Sequence, residues 1–186
     1  HTFYLWDWVG GRFSVTSAVG LFTAELAGMD SATFLDGARE MDRWTRAEPW
    51  RDNPAAIIAG TLYQSGDGHG EKNLPTIPYS DRLSSYPRYL QQIVMESVGK
   101  RMDNDGQMVH QGLTVYGHKG STDQHATMQQ LRDGRRDSLV LFLQALTPNP
   151  AKHLSSQAIL GAEQYLQGFL LGTRRALHET GRPNIL

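Results

Sequence analysis

Three side chains in separate segments of this sequence could do ionic or acid–base chemistry: Arg12, Glu96 and His125. A rigidly held carboxylate can act as a base, and a guanidinium is a planar, permanent cation. A histidine that stays neutral can take or give a proton. Each of the three could also be present for purely structural reasons. Their roles therefore depend on the helices and turns that position them.

Glu96 stands near the end of an expected helix. Apolar residues at three- and four-residue spacing predict a helix over Asp81–Met95. Pro87 implies that this helix either begins near Ser85 or is kinked. A carboxylate at the open end of a packed helix is held rigidly and can still meet a ligand. The alternative is an exposed i,i+4 pair with Lys100, which stabilises a helix by roughly a few tenths of a kcal/mol.

Arg12 follows two glycines in a turn. Phe3–Trp8 is predicted to be a short buried strand, and Ser14 is predicted to cap a helix that ends near Gly28. Glycine lets a ligand approach the backbone and a helix N-terminus attracts anions, so this turn could form a ligand site at Gly11. The alternative is an ion pair between Arg12 and a nearby carboxylate.

His125 falls, with Gln124, in the first turn of a helix predicted over Thr122–Leu131. The positive end of the helix dipole favours the neutral imidazole, which suits acid–base chemistry. The alternative is a capping or hydrogen-bonded surface histidine.

The composition excludes several classes of protein. A hydrophobic content of 39% with 20% charged residues is typical of a soluble globular protein, and 186 residues suffice for one sizeable core. The net charge of −1 favours neither nucleic acid nor an anionic membrane as a partner, and no apolar run approaches the roughly 18 residues of a membrane span. The absence of Cys excludes disulfides and thiolate sites and fits a cytoplasmic location. Because an apolar run follows His1 directly, we expect a chain entered in mid-domain.

Strands and helices alternate along the chain, which predicts an α/β fold, a three-layer αβα sandwich with a mostly parallel sheet. Ligands in such sheets bind at the carboxyl ends of the strands, where Gly10–Arg12 and Gly117–His125 are both expected. The further helices are expected at Ser31–Trp44, Ala55–Tyr63 and Ser155–Thr180. The further strands are expected at Leu74–Pro78, Leu113–Tyr116, Asp137–Leu146 and from Asn184.

Two segments resemble binding motifs only superficially. The glycines of Ser65–Asn73 do not follow a strand with dinucleotide-binding spacing, so this segment is expected to be a loop. Arg101–Gln107 lacks the carboxylate spacing of an EF-hand and is better explained as an Asp-Gly turn.

Three segments together resemble the glucose-6-phosphate isomerase family. Asp7–Ser14 (DWVGGRFS), continuing through Ser17–Gly20 (SAVG), looks like the family's signature segment. Met95–Lys100 (MESVGK) is similar to its Met-Glu-Ser-Asn-Gly-Lys segment, and Gly120–Ala126 (GSTDQHA) resembles its Gln-His-Ala helix start. The three occur in the family's order. The resemblance implies the sugar isomerase (SIS) fold, which has a flavodoxin-like sheet.

The resemblance also implies residue roles in the interconversion of glucose 6-phosphate and fructose 6-phosphate through a cis-enediol, a reaction of glycolysis and gluconeogenesis. Glu96 corresponds to the base that moves a proton between C1 and C2, and Arg12 to the group that stabilises the enediolate. Gln92 and Gly11 correspond to substrate contacts. His125 corresponds to the histidine that assists ring opening in the site of a neighbouring subunit, which implies a homodimer. No metal or organic cofactor is implied.

The sequence departs from the family at some positions and matches only part of its usual length. Val98 replaces a frequent Asn and Asp123 a frequent Gly, but neither change removes a reacting group. We expect residues 1–28 to end one SIS domain and residues 29–186 to form most of a second. The family's Ser/Thr-rich phosphate loop and its C-terminal lysine have no match, so we expect the isolated chain to be inactive. The alternative function is a non-catalytic module that binds sugar phosphates at its helix starts.

Overall fold

The computed structural model describes residues 1–46, 49–146 and 161–186 of the chain. These residues form two compact units, His1–Leu62 and Tyr63–Leu186. The domain boundary predicted near Gly28 falls inside the first unit. It stays a prediction, because a compact unit need not coincide with a whole domain of a longer protein.

Short helices follow one another through the first unit. They are a 3-10 helix at Gly11–Thr16, α1 at Ala18–Leu26, α2 at Ser31–Thr45, a second 3-10 helix at Trp50–Asp52 and α3 at Pro54–Ser65. Asp30 caps α2 by accepting a hydrogen bond from the amide of Thr33 at 3.1 Å, and the helix begins at Ser31, as predicted. Pro54 takes the first position of α3, one residue before the predicted start.

Two predictions for the start of the chain are wrong. Phe3–Trp8 forms no strand, and its aromatic side chains are exposed. No strand within the described residues pairs with it, and an apolar run alone does not satisfy the backbone groups of a strand. Ser14 does not cap α1, because its buried hydroxyl donates to the Gly11 carbonyl at 2.7 Å inside the 3-10 turn. Ser17 caps α1 by accepting from the amide of Val19 at 3.3 Å.

The apolar residues of α1 do not form a buried face among the described residues. Val19, Phe22 and Leu26 are exposed, and none of the described residues of α1, α2 or α3 is buried. The helical spacing identifies an apolar stripe, but the sequence does not say what covers that stripe.

The described residues of the second unit form six strands. They are β1 at Leu74–Pro78, β2 at Lys100–Met102, β3 at Met108–Gln111, β4 at Val115–Gly117, β5 at Val140–Leu143 and β6 at Asn184–Ile185. Four of them form a parallel sheet in the order β4-β1-β5-β6. The other two, β2 and β3, form an antiparallel hairpin that the sequence did not predict. Its turn is the predicted Asp-Gly turn, closed by Asp103 Oδ1, which accepts from the amides of Asp105 and Gln107 at 2.9 and 2.8 Å.

Three helices cover the parallel sheet: α4 at Tyr86–Val98, α5 at Gln124–Asp133 and α6 at Ala162–Glu179. The connection from β1 to β4 runs one way along the sheet, and the connection from β4 to β5 runs back past β1. Because crossovers between parallel strands are right-handed, α4 lies on one face and α5 and α6 lie on the other. The predicted three-layer α/β fold with a flavodoxin-like strand order is therefore confirmed.

The main core lies between the sheet and the α5–α6 layer. Alternate residues of β1 and β5 point into it and meet the inner faces of the two helices. Its members are Ile77, Tyr79, Leu131, Val140, Phe142, Leu170 and Leu177.

Most element predictions in this unit hold, with shifted ends. The helix predicted from Asp81 begins at Tyr86 with Pro87 in its first turn. The alternative of a start near Ser85, rather than a kink at Pro87, is therefore confirmed. The helix predicted from Thr122 begins at Gln124, and β5 is shorter than predicted. The first residues of the helix predicted over Ser155–Thr180, up to residue 160, lie outside the described residues. No helix among the described residues is long and apolar enough to cross a membrane.

Candidate active site

Helix α4 carries Gln92 and Glu96, and its contacts with β4 fix its direction. A Cβ on Gly117 would lie 2.2 Å from Cβ of Pro87, so the helix approaches this strand closely only because residue 117 is a glycine. One turn later, Gln91 Nε2 donates to the Val115 carbonyl at 3.0 Å. The helix therefore runs antiparallel to β4, from its carboxyl end towards its amino end.

Glu96 lies in the last turn of α4, at the edge of the sheet that is formed by the amino ends of its parallel strands. Gly99 ends the helix by donating to the Met95 carbonyl at 3.2 Å. It lies against Gly112, which leads into β4. The Glu96 side chain is exposed, and its Oε2 accepts a hydrogen bond from Gln92 Nε2 at 3.4 Å. This long contact holds the amide and the carboxylate on the same outer side of α4.

The loop before α5, residues 118–123, runs along the edge that is formed by the carboxyl ends of the parallel strands. His118 N donates to the Thr76 carbonyl at 3.1 Å, and Gly120 N donates to the Pro78 carbonyl at 3.0 Å, which carries the chain past the carboxyl end of β1. His125 is the second residue of α5, and its side chain is exposed. The prediction that Gly117–His125 lies at the carboxyl ends of the strands is confirmed.

Glu96 and His125 thus stand at opposite edges of one sheet, on helices that cover opposite faces. The five-residue strand β1 alone spans roughly 15 Å between these edges. Neither side chain is long enough to cross that distance. Within one copy of the chain, Glu96 and His125 do not form one site.

Gln124, beside His125, is held from two elements. Its Nε2 donates to the Tyr79 hydroxyl, just after β1, and to Thr173 Oγ1 on α6. The Tyr79 hydroxyl also donates to Thr173 Oγ1 at 3.2 Å. Burial raises the pKa of Tyr79, while its hydrogen bonds with Thr173 and Gln124 act in the other direction.

Tyr79 and Thr173 were not predicted as site residues. Thr173 could have been found, because it shares a helical face with Leu170 and Leu177, which marks it as an inward-pointing hydroxyl. Tyr79 follows β1 directly, but nothing in the sequence indicates which residues its hydroxyl contacts.

His118 is a third residue that sequence reasoning missed. It is half-buried, and its ring makes an edge contact with Tyr116 at a centroid distance of 5.3 Å. Burial lowers the pKa of His118, and the negative charge of Asp123 opposes this shift. The neutral form of the His118 imidazole is therefore favoured at neutral pH. The residue lies in the loop between β4 and the predicted site residue His125.

A cleft of about 610 Å³ opens at the carboxyl ends of β1 and β5, where the strand order reverses. This is the position at which open α/β sheets bind ligands, and the volume is typical of a small-molecule site. None of the predicted site residues, all of which the structure describes, lines it. A 2.6 Å ion pair between Lys119 Nζ and Asp81 Oδ1 lies in its wall.

Arg12 and Gly11 belong to the first unit. Arg12 is half-buried in the 3-10 turn, with its guanidinium 5.3 Å from the ring of Phe13. A Cβ on Gly20 would lie 2.1 Å from the Val15 carbonyl oxygen, so this turn and α1 can pack only with a glycine there. The turn is therefore compact, but the strand expected before it is absent.

Metal binding is not supported by the described side chains. Among the described residues, no group of three or more His, Asp or Glu side chains is arranged to hold a metal ion.

Comparison of the sequence with family models and with curated proteins points to one protein family. The model of the family described as "Phosphoglucose isomerase" matches residues 1–180. A glucose-6-phosphate isomerase of Synechococcus sp. (strain CC9902) is 50% identical over 183 residues, which are 98% of this chain and 34% of the relative. One from Geobacter sulfurreducens is 49% identical over 98% of this chain and 35% of the relative. The chain thus spans about a third of the length of the curated relatives it matches.

Two solved structures are similar in fold. A glucose-6-phosphate isomerase from Chlamydia trachomatis D/UW-3/Cx has a TM-score of 0.82 and 28% identity, over 94% of this chain and 34% of that one. A hypothetical protein from Thermus thermophilus has a TM-score of 0.78 and 30% identity, over 94% of this chain and 43% of that one.

Proposed function

This chain belongs to the phosphoglucose isomerase family, and we propose that it supplies part of the active site of an enzyme that interconverts glucose 6-phosphate and fructose 6-phosphate. The reaction moves a hydrogen between C1 and C2 through a cis-enediol. The enzyme would act in glycolysis and gluconeogenesis in the cytoplasm. The match over residues 1–180 and the identity of about half to proteins named for this reaction support the proposal.

Glu96 is the proposed base. Removing a proton next to a carbonyl needs a fixed carboxylate, and such a base contributes typically 10²- to 10⁴-fold in rate. Its place on α4 supports this role, because Pro87 and Gln91 anchor the helix to β4 and leave the carboxylate exposed. Gln92, hydrogen-bonded to Glu96 one turn earlier, is the proposed substrate contact.

Arg12 is the proposed electrostatic partner of the reaction. The enediolate carries a negative charge on oxygen, and a guanidinium stabilises such a charge without changing its own protonation. The compact 3-10 turn at Gly11–Thr16 gives Arg12 a fixed backbone, and Gly11, which carries no side chain, leaves the backbone open to the substrate.

His125 is proposed to assist ring opening in the site of a second copy of the chain. The single observation that carries this assignment is the position of Glu96 and His125 at opposite edges of one sheet. If both residues act on one substrate, they come from different copies. The proposed enzyme is therefore a homodimer whose sites are shared between subunits.

The remaining parts of the site are proposed to come from the rest of a longer protein. The chain covers about a third of the length of its relatives, so about two thirds of such a protein has no counterpart in it. In this proposal, residues 1–28 close one SIS domain and residues 29–186 form most of the next.

The test of the proposed base is Glu96→Gln in the full-length enzyme. We expect kcat to fall roughly 10²- to 10⁴-fold with little change in the thermal midpoint, because the amide keeps the shape of the side chain but cannot take a proton. Glu179→Gln is the matched control, since it removes an exposed carboxylate from the last turn of another helix. Normal turnover by Glu96→Gln contradicts the assignment.

A further inference from the structure

Tyr79, Gln124 and Thr173 form a closed hydrogen-bond network between three elements of the second unit. The two protons of the Gln124 amide have two acceptors, the oxygens of Tyr79 and Thr173. The Tyr79 hydroxyl proton goes to Thr173 Oγ1, and the Thr173 proton goes to the Phe169 carbonyl at 2.7 Å. Every proton has one acceptor, so the network fixes the direction of each group.

Two of the three side chains in the network are shielded from water. Tyr79 is 3% exposed and Thr173 is 9% exposed, and Gln124 is half-buried. Buried polar groups are costly when they lose a partner, so the three side chains hold one arrangement. This arrangement joins the end of β1 and the middle of α6 to the first residue of α5.

The start of α5 depends on this attachment. Asp123, which precedes the helix, makes no capping hydrogen bond with its side chain to the helix amides. Its Oδ2 accepts from Lys119 N at 2.7 Å, so the loop before the helix is closed on itself. Gln124 ties this loop and the first turn to the core, and the next residue is His125.

We propose that Gln124 is a positioning residue that sets the direction of the His125 imidazole through its bonds to Tyr79 and Thr173. The inference rests on the proposed function, in which His125 assists ring opening in a neighbouring site. Gln124 itself need not touch the substrate. Loss of its two donors releases the first turn of α5 and moves the imidazole from its working position.

A double-mutant cycle in the full-length enzyme tests this. Gln124→Met keeps the length of the side chain and removes both donors. We expect its kcat to fall by roughly 10-fold or more with little change in KM, because small misplacements of a reacting group are costly. Combined with His125→Ala, Gln124→Met is expected to lower kcat by no more than about twofold further, since the group it positions is already gone.

A second set of variants separates positioning from general stability. Thr173→Val removes one acceptor and is expected to lower kcat in the same direction, whereas Thr173→Ser keeps the hydroxyl and is expected to restore it. Thr180→Val is the control on the same helix, because it removes a half-buried threonine hydroxyl that bonds only helix carbonyls. Thermal midpoints of all variants show that the enzymes compared are folded.

The outcomes distinguish a failure of the proposed function from a failure of the inference about Gln124. If His125→Ala leaves kcat unchanged, the role of the histidine in the proposed function is wrong, and the inference about Gln124 is wrong with it. If His125→Ala lowers kcat while Gln124→Met does not, only the inference is wrong. Independent, multiplying losses from Gln124→Met and His125→Ala also overturn it.

Discussion

Glu96 and His125 lie at opposite edges of the same parallel sheet, one at the end of α4 and the other at the start of α5. The direction of α4 makes this so, because Pro87 packs on Gly117 and Gln91 bonds Val115 as the helix returns to the amino edge. If Glu96 is the base and His125 the proton carrier, as proposed, one copy of this sheet cannot bring both groups to one substrate. The geometry therefore supports a site that two copies of the chain build together.

Gly117 is predicted to be intolerant of any side chain. A Cβ at this position would lie 2.2 Å from Cβ of Pro87, so Gly117→Ala forces α4 away from β4. We expect the free energy of unfolding to fall by about 1–3 kcal/mol, measured by urea denaturation of the 186-residue chain.

Gly168→Ala is the matched control for Gly117→Ala. Beyond its chain neighbours and the backbone of its own helix, no atom lies within 4 Å of the added Cβ. Alanine favours the helix, so stability is expected to rise by up to about 1 kcal/mol. Equal stability of Gly117→Ala and the unmodified chain would contradict the close packing of α4 on β4.

His118 is predicted to make the fold less stable in acid. Because burial lowers its pKa in the folded state, the unfolded chain binds the proton more readily, and stability falls as the pH drops below the unfolded histidine value of about 6.5. His118→Gln cannot titrate, so the difference in unfolding free energy between about pH 7.5 and pH 5.5 should be smaller in this variant.

His178→Gln, which replaces an exposed histidine, is the control for the effect of acid on the free energy of unfolding. It makes the same substitution at an exposed position, so it shows how far a change from histidine to glutamine alters the free energy of unfolding by itself. An acid destabilisation that His118→Gln does not reduce argues against a buried, neutral His118.

The isolated 186-residue chain is predicted to have negligible isomerase activity and no micromolar affinity for fructose 6-phosphate. It spans about a third of its relatives, and the parts of the site that hold the phosphate are proposed to lie elsewhere. Calorimetric titration with fructose 6-phosphate, beside a coupled assay of turnover, checks both statements. Micromolar binding without turnover would favour a non-catalytic sugar-phosphate-binding module.

The sequence predicts the second unit well because its signals are local. The apolar run after Asp137 and the helix-ending glycines Gly99 and Gly181 each act within a few residues. The parallel strands and the helices between them could therefore be predicted, whereas the β2–β3 hairpin was not. Phe3–Trp8 has the same apolar character, but a strand also needs a pairing partner, which no local pattern supplies.

The candidate site was only partly predictable for the same reason. Glu96, Arg12 and His125 stand in recognisable segments, yet the separation of Glu96 from His125 across the sheet depends on how α4 returns along β4. The partners of Gln124 lie 45 and 49 residues away in sequence, at Tyr79 and Thr173. Contacts at such separations arise from packing and leave no spacing pattern in the chain.

The most direct measurement of the shared site mixes two inactive full-length variants, Glu96→Gln and His125→Ala, under conditions that exchange subunits. A mixed dimer would have one site with both groups intact and one site with neither. With random exchange, activity should recover to about a quarter of the unmodified level, since half of the dimers are mixed and each has one working site. If the two residues act within one subunit, no mixed dimer contains an intact site and no activity returns. Absence of recovery with demonstrated subunit exchange would contradict the account.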